Sequence, residues 1–240
     1  MSKAQHNSTA SLTGYASKMR SIGRFVNRHF KSANVEWIDE RVVVPKSGKT
    51  TNGERLRDMQ IEQEDYEKCL AHATRPGTRG RSHIAFELSY RFGPRVSGCE
   101  TTKVRDVMLD QKGQFGYGEI RFKEKGNRIR LVDIRTEDDR KFLENLIRGR
   151  NPEEALVGIK EGSINKALNR TLTEIGLKSK YPYTSIHGLR KCFTSRCWDS
   201  NRRNGVSYMD NVEDCNFQLG HGIRRNVRLL KVYVAHMEKY

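Results

Sequence analysis

Apolar side chains recur every three to four residues over most of this chain, the spacing that puts them on one face of a helix. Leu12, Tyr15, Met19, Ile22, Val26 and Phe30 form the first such stripe, with Arg20, Arg24 and Arg28 on other faces. The pattern predicts one amphipathic helix with a basic side, preceded by a small-residue, polar stretch over residues 1–11 that reads as disordered. Similar patterns predict helices over 61–74 and 80–92, broken by Arg75-Pro76-Gly77-Thr78, and again over 137–149, 163–176, 188–199, 210–219 and 226–237. Residues 115–134 differ. Glycines punctuate 113–118, then Ile120 and Phe122 alternate with Arg121 and Lys123. A Gly126-Asn127 turn leads into Ile129 and Leu131 alternating with Arg128 and Arg130, which predicts an antiparallel hairpin with a basic tip. Val42-Val43-Val44-Pro45 is a short strand or an extended linker, and 46–53 is a loop by composition. The fold class expected is mainly α with a small antiparallel β-sheet (α+β), without internal repeats.

Charge changes this picture from a plain helical domain to one that meets a polyanion. The 240 residues hold 45 Lys plus Arg against 29 Asp plus Glu, a formal net charge of +16. The excess lies at the two ends. Residues 1–57 carry 11 basic and 4 acidic side chains, residues 178–240 carry 12 and 5, and the stretch between is nearly neutral. Two basic ends around a neutral body point to two anion-contacting faces, nucleic acid being the polyanion that fits best. The division expected is therefore a basic N-terminal segment, 1–57, and a compact domain, 58–240.

Other classes recede. No apolar run is long enough for a membrane span, and the N-terminus lacks the pattern of a signal peptide, so the expected location is cytoplasmic, on the nucleoid if the source is bacterial. Cys69, Cys99, Cys192, Cys197 and Cys215 are an odd, scattered set without a CxxC pair, and read as reduced thiols with no disulfide frame or metal site. The string Gly48-Lys49-Thr50 has the end of a phosphate-binding loop but not its first glycine, so a nucleotide site is rejected. An RNA-binding module would need an aromatic-rich recognition string, which is missing. No cofactor is expected.

Three short stretches carry the chemistry: Gly93-Pro94-Arg95-Val96-Ser97, His187-Gly188-Leu189-Arg190, and Leu219-Gly220-His221 followed by Tyr233 in Val232-Tyr233-Val234. Between the first two lies the basic string Lys123-Glu124-Lys125-Gly126-Asn127-Arg128-Ile129-Arg130. In this order, over about 58–240, they resemble the catalytic domain of the tyrosine recombinases, the phage-integrase family. The chemistry explains why such residues would be gathered. Exchanging one DNA phosphoester for another without losing its bond energy calls for a covalent nucleophile, and a phenolate is a competent leaving group on resealing. The extra negative charge on the phosphate calls for fixed cationic donors, for which the planar guanidinium fork is best suited. The departing 5′-oxygen calls for a proton donor.

The resemblance implies a role for each residue. Arg95 and Arg190 are the phosphate-binding arginines, His187 assists proton handling, and His221 hydrogen-bonds the scissile phosphate. Lys125 on the hairpin is the general acid, with Lys123 as its rival, and Tyr233 is the nucleophile, ahead of Tyr208 and Tyr240. His187 and Arg190, spaced i, i+3 at a helix start, share a face. The pattern departs in two places. An acidic residue commonly stands three positions after the first arginine, where this chain has Gly98 and only Glu100 nearby as a substitute. Tyr233 lies somewhat further beyond the histidine than usual. The resemblance implies double-stranded DNA as partner, a homo-tetramer on DNA and, in some systems, an accessory DNA-bending protein. It implies a site-specific recombinase or integrase of a mobile element, with residues 1–57 as a reduced DNA clamp. A type IB topoisomerase and a catalytically silent DNA-binding protein of the same fold are the alternatives.

Overall fold

The computed structural model describes residues 9–30, 60–76, 80–124, 126–221, 227–234 and 237. The chain divides into two units, Met1–Arg55 and Leu56–Tyr240. The first contains α1, Thr9–His29, which begins a turn ahead of the apolar stripe and ends on Arg28 and His29, cations that suit the negative end of a helix. Tyr15, Met19, Ile22 and Phe25 on it are exposed. Residues 46–53 lie outside the described set, as do Val42–Pro45.

The second unit is helical around one small sheet. Its elements are α2 (Gln63–Thr74), α3 (Ser82–Phe92), α4 (Val96–Thr101), a 3-10 turn (Val104–Asp106), β1 (Val107–Met108), β2 (Glu119–Glu124), β3 (Arg128–Asp133), α5 (Glu137–Ile147), α6 (Glu161–Glu174), α7 (Ile186–Arg203), α8 (Tyr208–Gln218) and the single turn α9 (Val227–Leu230). The fold class is that expected: mainly α, with an antiparallel sheet in the order β1-β2-β3. The short α4 and β1 carry too few residues for a visible period. No helix among the described residues is long and apolar enough to cross a membrane.

Local chemistry sets the boundaries. Thr136, Ser185 and Ser207 cap α5, α7 and α8, each side chain accepting a backbone N–H of the first turn. α5 opens on Glu137, Asp138 and Asp139, which oppose the positive end of the helix. α7 is the central element. Leu189, Phe193, Cys197 and Trp198 on it are buried, and α3 packs along it with Phe86, Leu88 and Phe92. The Trp198 edge meets Tyr208 at 5.5 Å, a near-perpendicular aromatic pair.

Two expectations from the apolar pattern need correction. The helix expected over 226–237 is one turn, after which Val232 and Tyr233 donate to Leu229 and Leu230, three residues back, and the spiral tightens. The hairpin lies where expected, but β3 pairs one residue out of step with a two-residue Gly126-Asn127 turn, so its other face points inward. Phe122 pairs with Arg130 and Ile120 with Val132, so Arg130 and Val132 face inward while Ile129 and Leu131 are exposed. Phase is a property of the pair, not of one strand. Here the inward slot opposite Phe122 takes a guanidinium, 5.1 Å above the ring.

Candidate active site

Helix ends build the site. The last carbonyls of a helix lack intrahelical donors, and cations are favoured there. α3 stops at Gly93, whose left-handed φ of 57° and lack of a Cβ are both required, since a Cβ would lie 2.3 Å from Phe193 Cδ1. α8 stops at Gly220, also left-handed at 69°, with the Arg130 side chain packed where a Cβ would be. The two carboxyl ends converge on α7. Arg190 Nη2 donates to the Leu219 carbonyl at 2.6 Å, and Nη1 donates to the Gly93 carbonyl. Arg130 Nη1 donates to the carbonyls of Phe92, at 3.3 Å, and Gln218. Two buried arginines thereby satisfy two helix ends.

A buried carboxylate completes the frame. Glu124, the last residue of β2, has a side chain 1% exposed. It accepts from the Arg95 backbone N–H at 2.9 Å, from Arg130 Nε at 3.2 Å and from Arg190 Nη1 at 3.3 Å, and its other oxygen accepts from Arg95 Nη1. Burial works to raise its pKa, but Arg130, Arg190 and Arg95 outweigh this and hold it below the ordinary value. Arg130, pushed down to about 9 by burial and by Arg190, stays charged at neutral pH. Arg95, at the start of α4, keeps nearly a third of its side chain exposed. Glu100, the expected substitute, points elsewhere: it accepts from the Glu161 N–H at 2.8 Å and lies 3.6 Å from Lys160. Glu124 and Arg130 were missed by sequence reasoning because alternation put charged hairpin residues at the surface.

Tyr233 lies against this frame, 7% exposed. Its ring centroid is 5.3 Å from that of His187 and 5.7 Å from that of His221, and Arg190 Cζ is 5.9 Å from it. Arg95 reaches Arg190 through Glu124. Of the six residues singled out, the structure thus brings five together: Arg95, His187, Arg190, His221 and Tyr233. Lys125 lies outside the described residues, between Glu124 and Gly126. Gly126 and Asn127, with positive φ of 79° and 57°, lie in the three-residue connection between the paired Glu124 and Arg128. Tyr208 packs on Trp198 instead, and Tyr240 is outside the described residues. His221 Nε2 and Arg190 Nε are buried without a hydrogen-bond partner. Among the described residues no group of His, Cys, Asp or Glu is arranged to hold a metal ion.

The pocket keeps its histidines neutral. Burial, then Arg190, Lys191, Arg95 and His221, pushes His187 down to about 4. Burial and the arginines push His221 down to about 4 as well. Their folded values thus lie below the unfolded value of about 6.5. As the pH falls, the unfolded chain takes up these protons first, so stability is full above pH 6.5 and declines toward pH 4. His187→Gln should remove part of that decline. A shift from about 6.5 to about 4 is worth about 2–3 kcal/mol at pH 4.5, so the drop in melting temperature between pH 7 and pH 4.5 should be smaller than in the wild type by about 5–10 °C, given about 2–4 °C per kcal/mol for a domain of this size. An unchanged drop in a calorimetric pH series would mean that His187 titrates normally.

No protein-family model and no curated protein matches the chain. Solved structures do. The XerH site-specific recombinase bound to palindromic difH substrate, in a post-cleavage complex, superposes with a TM-score of 0.61 at 15% identity over 96% of this chain and 65% of that one. The pre-cleavage complex of XerH with difH gives 0.57 at 16% over 95% and 62%. The Tn1549 transposon integrase in complex with transposon right end DNA gives 0.57 at 10% over 98% and 83%. The chain spans just under two thirds of the length of the XerH chains it matches. Helices around a three-stranded antiparallel sheet, in an arrangement shared with XerH and the Tn1549 integrase, identify the fold of this chain as that of the tyrosine recombinase catalytic domain.

Proposed function

We propose that this chain is a DNA strand-transfer enzyme, a site-specific recombinase or integrase of a mobile element that works through a 3′-phosphotyrosyl intermediate. The observation that carries the reading is Tyr233 packed on His187, His221 and Arg190 in one pocket. In the reaction the Tyr233 oxygen attacks the scissile phosphorus, forming a Tyr–O–P bond as the bond from phosphorus to the 5′-oxygen breaks. Arg95, Arg190 and the Nε2–H tautomer of His221 stabilise the charge on the non-bridging oxygens. His187, neutral at physiological pH, accepts the phenolic proton. Lys125 donates a proton to the 5′-oxygen. Resealing reverses each step with a new 5′-hydroxyl, and the chain's own cations do the electrostatic work.

Double-stranded DNA is the substrate on this reading, with a homo-tetramer as the exchanging assembly and an accessory bending protein as an optional partner. The basic segment 1–57 is a reduced clamp on the backbone, the domain 58–240 holds the catalysis, and the protein acts in the cytoplasm. The test is covalent trapping. A duplex nicked just beyond the cut site loses its short 5′-hydroxyl fragment, so resealing fails and protein stays on the DNA. An SDS-resistant protein–DNA species is the expected result. DNA binding without that species would indicate a silent binding protein, and site-independent relaxation of a supercoiled plasmid would indicate the topoisomerase alternative.

A further inference from the structure

Arg190 comes from α7 and Arg95 from the start of α4, two separate elements whose backbones do not themselves bring the guanidinium groups together. What joins them is Glu124. Its carboxylate bonds Arg95, Arg190 and Arg130, and also caps the Arg95 backbone N–H. Both of its oxygens are taken up by these donors, and a carboxylate repels a phosphate, so it acts through the arginines. Three guanidinium groups crowded out of water repel one another, and one carboxylate among them lowers that cost while fixing the direction of each fork.

Gly98 explains how a carboxylate from the hairpin fits here. A Cβ built on Gly98 would lie 3.5 Å from Glu124 Cγ, 3.6 Å from Phe122 Cβ and 3.2 Å from Pro94 Cβ. A Cβ there would press on Pro94 and touch Glu124 and Phe122, so a longer side chain at position 98 would run into the Glu124 side chain. Gly98 is the third residue after Arg95, on the first turn of α4, so a longer acidic side chain there would approach the same guanidinium groups. Glu124 is also the last ladder residue of β2, paired with Arg128 across the loop that contains Lys125. One side chain therefore ties the loop of the proposed general acid to the proposed phosphate-binding arginines.

We infer that Glu124 is a positioning residue for strand cleavage, its carboxylate supplied from the hairpin beside Gly98. This rests on the strand-transfer reading above. A structural carboxylate alone would affect folding and binding together, whereas a positioning one separates them. Glu124→Gln keeps the shape, removes the charge and leaves the arginines without their ionic partner. It should bind a nicked duplex as tightly as the wild type, or more tightly because the pocket is one charge more positive. At saturating protein its single-turnover cleavage should fall by about 10²-fold, a loss of the kind seen when fixed electrostatic groups are disturbed.

Relocating the carboxylate provides the second arm. Glu124→Gly removes the carboxylate beside Gly98 and should cleave at least as poorly as Glu124→Gln. Adding Gly98→Glu to it should restore cleavage by tenfold or more, with melting temperatures followed in parallel. Wild-type cleavage by Glu124→Gln, or a folded double variant no faster than Glu124→Gly, would overturn the inference while leaving the function reading intact. A wild-type protein that formed no adduct on the nicked duplex would overturn both.

Discussion

Tyr233→Phe should bind its duplex with the affinity of the wild type and form no SDS-resistant adduct. Only the hydroxyl is removed. The ring keeps its packing against His187, His221 and Arg190, so the pocket and the fold are preserved and the loss lies in chemistry alone. The effect should be complete, because a covalent nucleophile has no partial substitute once its oxygen is gone. Tyr208→Phe is the matched control: that ring packs on Trp198, and its variant should form adduct as the wild type does. Tyr240→Phe should do likewise. Adduct from Tyr233→Phe in a denaturing gel would remove Tyr233 from the mechanism.

Lys125→Ala and Arg190→Ala should both slow cleavage strongly and should part company on a modified strand. A 5′-alkoxide is a poor leaving group that needs a proton, so loss of its acid should cost about 10²–10⁴-fold. Replacing the bridging 5′-oxygen with sulfur gives a leaving group that departs without one, and Lys125→Ala should regain most of its rate there. Arg190→Ala should not, because its charge acts on the non-bridging oxygens in either strand. It also leaves the carbonyls of Gly93 and Leu219 and the Glu124 carboxylate short of a donor, so its melting temperature should fall as well. Equal failure of Lys125→Ala on both strands would assign that lysine to DNA contact. Rescue of Lys123→Ala in its place would move the general acid two residues back along β2.

The helices and the hairpin were readable because each rests on a local rule: a three-to-four residue stripe for α2, α3 and α5 to α8, and alternation with a Gly126-Asn127 turn for β2 and β3. The frame beneath the site was not. Glu124 and Arg130 alternate with Arg121, Lys123, Ile129 and Leu131, and a single strand does not say which set faces in. Two carboxyl helix ends decide it by demanding donors, and those ends meet only after α3, α7 and α8 have packed. The gap at Gly98 was visible as a departure, but Glu100, two residues further, drew the substitution. The carboxylate that lies beside it comes from another element, twenty-six positions away in the chain. The shortened α9 has a similar origin, since the stripe of Val227, Leu230 and Val234 cannot reveal that the spiral tightens at Tyr233.

On the strand-transfer reading, the contact between Tyr233 and Arg190 of the same chain sets the stoichiometry expected in an assembly on DNA. A nucleophile housed beside its own arginine belongs to a self-sufficient catalytic unit, one chain for each strand cut. Mixing Tyr233→Phe protein with Arg190→Ala protein should then give no complementation, since neither chain lends its missing group to the other. Recovered adduct in such a mixture would mean that the tyrosine leaves its pocket to serve a neighbour. With self-sufficient units, the order in which strands are cut must be imposed by whatever switches individual chains on and off, not by the exchange of catalytic parts between them.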